Sequence, residues 1–212
     1  VATVCSVNVG SREPNPWKRA GWTGIGKEPV DGPVRVGVPR AGDSGLDGDF
    51  IGDRRHHGGP DQAVYAFAAE DLGHWERTLG ALLPDGSFGE NLTTSGIDVN
   101  ASPLGERWRV GRTVELVVTV PRIPCGTFAG VMGTKGWLKQ FTAEARPGAY
   151  LSVAVPGLVQ QDDPIEVLHR PDHGVTISQC FRALTTQPEL LPGLASAGSD
   201  LTPELAARVR GR

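Results

Sequence analysis

In the stretch VPRIPCG, Val120 to Gly126, the thiol of Cys125 follows a frame of two prolines and an arginine. Pro121 and Pro124 hold φ near ~−65° and remove two backbone donors, so a preceding strand must stop there and the loop is stiff. Ile123, placed before a proline, is pushed extended as well. Arg122, together with the positive end of a helical turn beginning at Gly126, favours thiolate over thiol. A fixed thiolate is a nucleophile or a soft-metal ligand. The bland alternative is a buried, inert cysteine, and Cys5 and Cys180, in apolar strand and helix contexts, keep that reading.

Two further clusters carry polar groups on glycine turns. HHGGPDQAVYAF sets His56 and His57 on a Gly-Gly-Pro turn feeding a strand, and SFGENLTTSG sets Glu90 and Asn91 just after a glycine. Such glycines permit positive φ and let backbone amides approach a ligand, although ordinary turns with solvated polar residues would look the same. Adjacent His56 and His57 point to opposite sides if extended and lack the spacing of a chelating pair, so one of them is expected to be exposed. GWTGIGKE fits the spacing of a phosphate-binding loop from Gly21 to Lys27. The magnesium-binding Ser or Thr is replaced by Glu28, however, and Pro29, Gly32 and Pro33 oppose the helix that should follow. A flexible loop presenting one amine, Lys27, is the expectation instead.

The elements that must position these groups are mostly strands. Gly and Pro are spread throughout, as in a chain of many short strands. VATVCSVNV, VRVGV, TVELVVTV, AYLSVAV and PIEVLH read as strands. Helical faces appear in AAEDLGHWERTLG, through Leu72, Trp75 and Leu79, and in GWLKQFTAEA, through Trp137, Leu138 and Phe141. From Pro171 the texture turns helical, with VTISQCFRAL and then TPELAARVR, which has Thr202 as cap and Pro203 at its first position. The expected division is a strand-built body over 1–170 and a small helical C-terminal extension over 171–212.

With 212 residues and 39% apolar content, the chain has enough material for one substantial core. A formal charge of −3 with scattered basic residues makes nucleic acid and anionic membranes poor partners. No stretch approaches the ~20 apolar residues of a membrane span, and the opening VATVCSVNVG does not resemble a secretory leader. Three cysteines without C-x-x-C or Cys/His spacing fit a reducing, cytoplasmic setting with free thiols rather than zinc or an iron-sulfur cluster.

Taken together, GLDGD (Gly45 to Asp49), HGGPDQAVYAF (His57 to Phe67), FGENLTTSG (Phe88 to Gly96), VPRIPC (Val120 to Cys125) and RPGAYLSVAVPG (Arg146 to Gly157) resemble the MOSC domain, the molybdenum cofactor sulfurase C-terminal domain. Their order and intervals match over roughly residues 1–170, and with its helical tail the chain is most similar to the stand-alone bacterial branch that contains the 6-N-hydroxylaminopurine reductases. The resemblance implies a mainly β, barrel-like body with a few helices. It also implies a pterin molybdenum cofactor, molybdopterin, whose metal is ligated by Cys125, and an oxidoreductase activity that removes oxygen from N-hydroxylated purines, amidoximes or hydroxylamines. A separate electron-donating reductase is implied too.

Carried over by motif position, Lys27 and Arg122 join Cys125 as a Lys-Arg-Cys group, with His57 and Asn91 as further cofactor or substrate contacts. Lys27 and Arg122 would hold the cofactor's phosphate or stabilise negative charge on the transferred oxygen. After Cys125 the chain reads GTF where relatives often have an aromatic and then a lysine, so that basic contact is not carried over. Two other uses of the same residues stay open: a sulfur carrier with a persulfide on Cys125, and a non-catalytic cofactor-binding protein.

Overall fold

The computed structural model describes residues 1–18 and 21–211. The β-branched and aromatic runs form β1 (Ala2–Gly10), β2 (Glu13–Pro14), β3 (Trp22–Thr23), β4 (Lys27–Pro29), β5 (Val34–Val36) and β6 (Val64–Ala68). After helix α1 (Ala69–Leu79) come β7 (Leu92–Ser95), β8 (Arg107–Val110) and β9 (Val114–Pro121), then helices α2 (Gly126–Met132) and α3 (Trp137–Glu144). β10 (Ala149–Val155), β11 (Gly157–Val159) and β12 (Pro164–His169) precede helices α4 (Ile177–Leu184) and α5 (Pro203–Val209), which flank a 3-10 segment, Pro188–Asp200.

Seven strands close into a mixed barrel in the order β1-β7-β6-β10-β9-β8-β12, with β12 returning to β1. Closure leaves no open edge in that ring. The β6–β7 pair is parallel, as α1 carries the chain across between them; the other pairings in the ring are antiparallel. β4 lies outside the ring, paired with the end of β1, and brings Lys27 opposite Gly10.

β6, VYAFA, is buried at every position. Alternation along a strand explains this: Val64, Ala66 and Ala68 point into the aliphatic barrel core, while Tyr65 and Phe67 point out into a second, aromatic core. That second core gathers Trp75 of α1, Phe88, Phe128 of α2, and Trp137 and Phe141 of α3. Fully burying each such ring contributes roughly 2–3 kcal/mol, so the helices are held to the outside of the wall by aromatic packing. α4, capped by Thr176, whose Oγ1 accepts from Gln179 N–H at 3.2 Å, adds Ile177, Cys180 and Ala183 to the barrel core and Phe181 to the aromatic one. No helix among the described residues is long and apolar enough to cross a membrane.

Gly24 of GWTGIG has a packing role. A Cβ on Gly24 would fall 1.9 Å from the Phe50 carbonyl oxygen, and one on Gly10 would fall 2.0 Å from that of Gly24. Three backbone segments therefore lie against one another without side chains between them. The expectation of a flexible loop at Lys27 is corrected accordingly: the residue opens a paired strand, and Gly24 nearby reflects close backbone contact rather than freedom.

Candidate active site

Strand β9 ends at Pro121, and the stiff Arg122–Pro124 link delivers Cys125 to the N-cap of α2, with φ −127° and ψ 171°. Cys125 is half-buried and lines a cleft of about 730 Å³. Lys27, His57, Asn91 and Arg122 line the same cleft, so all five residues singled out by sequence come together. Burial alone would push the Cys125 thiol up. The neighbouring His57 ring and Phe128 N–H, with the charges of Arg122 and His57, outweigh burial and lower it from 9.0 to about 6. His56 is exposed and pairs with Asp53, so the two adjacent histidines do divide between site and solvent.

Arg122 is buried, its guanidinium stacked 3.7 Å from the Phe128 ring centroid and 5.7 Å from that of Tyr65. Its Nη1 has no hydrogen-bond partner among the described residues. A buried, unpartnered guanidinium donor is costly unless an anion completes it. Lys27 is the opposite case. It forms an ion pair with Asp49, and the two side chains are only 8% and 1% exposed. Burial pulls the Lys27 amine below the usual lysine range, with the Asp49 carboxylate opposing that shift.

Asp49 closes the GLDGD turn and is tied down on several sides. It accepts from Gly10 N–H at 2.8 Å, from Ser44 Oγ at 2.6 Å and from Asn91 Nδ2 at 3.0 Å. Asn91 also donates to the Asn8 carbonyl at 3.3 Å and accepts from Tyr65 N–H at 3.1 Å, so its amide is occupied in orienting Asp49 and the barrel wall. Glu90 is fully buried and accepts from Gly86 N–H, Phe88 N–H and Thr93 Oγ1; burial raises its carboxyl to about 7. It shapes the Gly86–Asn91 turn rather than facing the cleft. Cys180 is buried in the core, its thiol pushed up to about 12.

The MOSC domain family matches residues 53–166 of this chain. The chain belongs to the MOSC domain family. Among MOSC relatives it is similar to YflK of Bacillus subtilis, at 32% identity over 155 residues, covering 73% of this chain and 67% of YflK. It is similar to YiiM of Escherichia coli, at 30% identity, covering 69% of this chain and 64% of that protein. A Gibberella moniliformis protein named reductase is 29% identical over 69% of this chain, which spans 26% of that longer protein. In fold, the crystal structure of YiiM from Geobacillus stearothermophilus superposes with a TM-score of 0.80 at 22% identity, over 100% of this chain and 98% of that one. YiiM from Escherichia coli gives 0.70 at 25% identity, over 88% of both chains.

In this MOSC chain several cleft residues were not singled out from sequence: Asp49, Ser44, Tyr65, Tyr150 and Trp22. Asp49, Tyr65 and Tyr150 lie inside the motif stretches GLDGD, HGGPDQAVYAF and RPGAYLSVAVPG, which was the available signal. Tyr150 lies beside Arg122, and burial raises its hydroxyl against the pull of that guanidinium. The side-chain hydroxyl of Tyr65 donates to the Pro147 carbonyl at 2.8 Å, fixing the ring under Arg122.

Proposed function

We propose that this chain holds a pterin molybdenum cofactor through Cys125 and reduces N-hydroxylated compounds, namely purines, amidoximes and hydroxylamines, to the parent amines or amidines. The observation that carries the reading is that an acidified thiol and a buried guanidinium without a partner face the same cleft. The donor set suits the group: a soft thiolate for molybdenum and a planar cation for a phosphate. The MOSC domain's association with molybdenum cofactor binding and the fungal relative's name, reductase, support the same direction.

When bound, the cofactor supplies a two-electron redox centre for oxygen removal. The balance is R–NHOH plus two electrons and two protons to R–NH₂ plus water, with the electrons from a separate reductase. Cys125 Sγ is the metal ligand, and His57 keeps it ionised. Arg122 Nη1 takes the cofactor's anionic group, since no protein acceptor uses it. Lys27 Nζ, paired with Asp49 and made more acidic by burial, holds the proton that goes to the departing oxygen. Ile25 and Phe88 line the cleft and keep water from it.

A second reading, a sulfur carrier with a persulfide on Cys125, is favoured by the His57 contact, which would activate the same sulfur without metal. Expression in a host that makes the cofactor separates the readings. Stoichiometric molybdenum and reduction of N-hydroxyadenine by reduced methyl viologen, both lost in Cys125→Ala, are the expected results. A persulfide on Cys125 without metal would select the carrier, and metal without turnover a non-catalytic cofactor protein.

A further inference from the structure

The chain is net negative, yet residues 116–143 contain three cations, Arg122, Lys135 and Lys139, and no carboxylate. Arg122 is turned into the cleft, whereas Lys135 and Lys139 are exposed, and neither forms an ion pair among the described residues. The same stretch exposes large apolar side chains: Ile123 at 41%, Val131 at 39% and Leu138 at 36%. Trp17, 46% exposed, lies flat on α2, where a Cβ at Gly130 would fall 2.3 Å from the indole ring. An aromatic and aliphatic centre rimmed by unpaired lysines has the composition of a protein interface, with Trp17 as its anchor.

We propose that this face, formed by α2, the start of α3 and Trp17, docks an acidic one-electron carrier protein of the flavodoxin or ferredoxin class. The inference rests on the reductase reading, which needs electrons from outside the chain. Charge chooses the partner: a negative carrier is repelled by the chain as a whole and attracted where lysines stand without carboxylates. Position fits as well. Cys125 caps α2, and Val131, six residues on at ~1.5 Å each, sets a partner seated there roughly 9 Å along the helix axis from Cys125. Two successive encounters deliver one electron each and leave two oxidised carriers. The substrate N–O bond breaks, the oxygen takes the proton held by Lys27 and the nitrogen takes one from water, Lys27 is reprotonated from solvent, and the amine and water leave.

The test uses the full chain loaded with cofactor, as the parent and as a Lys135→Glu/Lys139→Glu variant. Both lysines are exposed and outside the cleft, so the variant keeps the parent's melting temperature. Turnover driven by reduced methyl viologen, a small donor that needs no docking face, is expected to stay within about twofold of the parent. Turnover driven by a purified flavodoxin is expected to fall at least ~10-fold, and its decline between about 50 and 300 mM salt to flatten. Binding of oxidised flavodoxin, followed by calorimetry, is expected to weaken similarly. Equal flavodoxin binding and turnover in parent and variant would overturn the proposal. So would equal loss with both donors, or a parent that binds no flavodoxin and instead dimerises through this face. A parent inactive with viologen would defeat the reductase reading, while calorimetry still decides the docking face.

Discussion

Asn91 Nδ2 donates to Asp49 Oδ2 at 3.0 Å, and Asp49 is in turn the buried counter-ion of Lys27. The charge that Lys27 presents to the cleft is therefore set by a carboxylate that a neutral amide holds in place. Removing the amine leaves Asp49 buried and alone. Lys27→Ala is expected to lose about 3–5 kcal/mol of stability, the usual cost of breaking a buried pair from one side. Replacing both partners while keeping an acceptor for Gly10 N–H and Ser44, as in Lys27→Met/Asp49→Asn, recovers part of that loss. Urea unfolding of the two variants checks the order, and a Lys27→Ala protein as stable as the parent contradicts it.

Arg122 predicts the opposite sign. Its guanidinium has no carboxylate partner among the described residues and rests on Phe128, so Arg122→Met gives up a cation–π contact of about 0.5–2 kcal/mol while removing a desolvated charge. The cofactor-free variant is expected to unfold within about 1 kcal/mol of the parent, and its retention of cofactor through gel filtration to fall sharply. Metal analysis of the eluted protein provides the check; full retention removes Arg122 from the anion site.

The Cys125 thiol is expected to be alkylated by iodoacetamide with a rate that rises through an inflection near pH 6 in cofactor-free protein. His57→Ala moves the inflection upward, since the neighbouring ring favours thiolate. Because the folded value lies below the unfolded one of 9.0, the associated stability is fully present above pH 9 and is lost as pH falls through about 6. Cys180, pushed up to about 12 and enclosed, reacts only after unfolding. Mass spectrometry of the labelled peptides distinguishes the two sites.

Gly24→Ala brings a methyl group to 1.9 Å from the Phe50 carbonyl oxygen, and backbone must shift to admit it. A loss of about 1–3 kcal/mol is expected, seen as a lower melting temperature. Gly26→Ala, whose Cβ would meet only the Glu13 carboxylate at 3.1 Å, costs less because that side chain moves aside.

Local signals read well from sequence. TVELVVTV became β9, the Pro-Arg-x-Pro frame placed Cys125 at a helix start, and Thr202 capped α5. Family resemblance brought the five site residues together, and their motifs in fact surround one cleft. What was not legible depends on partners distant in the chain. Lys27 looked mobile because glycines precede it, and only the approach of Phe50 shows that Gly24 makes room for backbone. Asp49 carried no signal beyond its turn, since its meaning lies in Lys27, Gly10 and Asn91. Barrel closure between β1 and β12 joins the two ends of the strand order, a contact that no local periodicity encodes.

Five residues, Val64 to Ala68, form a partition one strand thick between the aliphatic filling of the barrel and the aromatic bed beneath Arg122. Neither side can be repacked alone. A methyl group added at Ala66 on the inner side would lever Tyr65 and tilt the floor on which the guanidinium rests. The chemistry of the cleft is in this sense tuned from behind, by how tightly the barrel is filled.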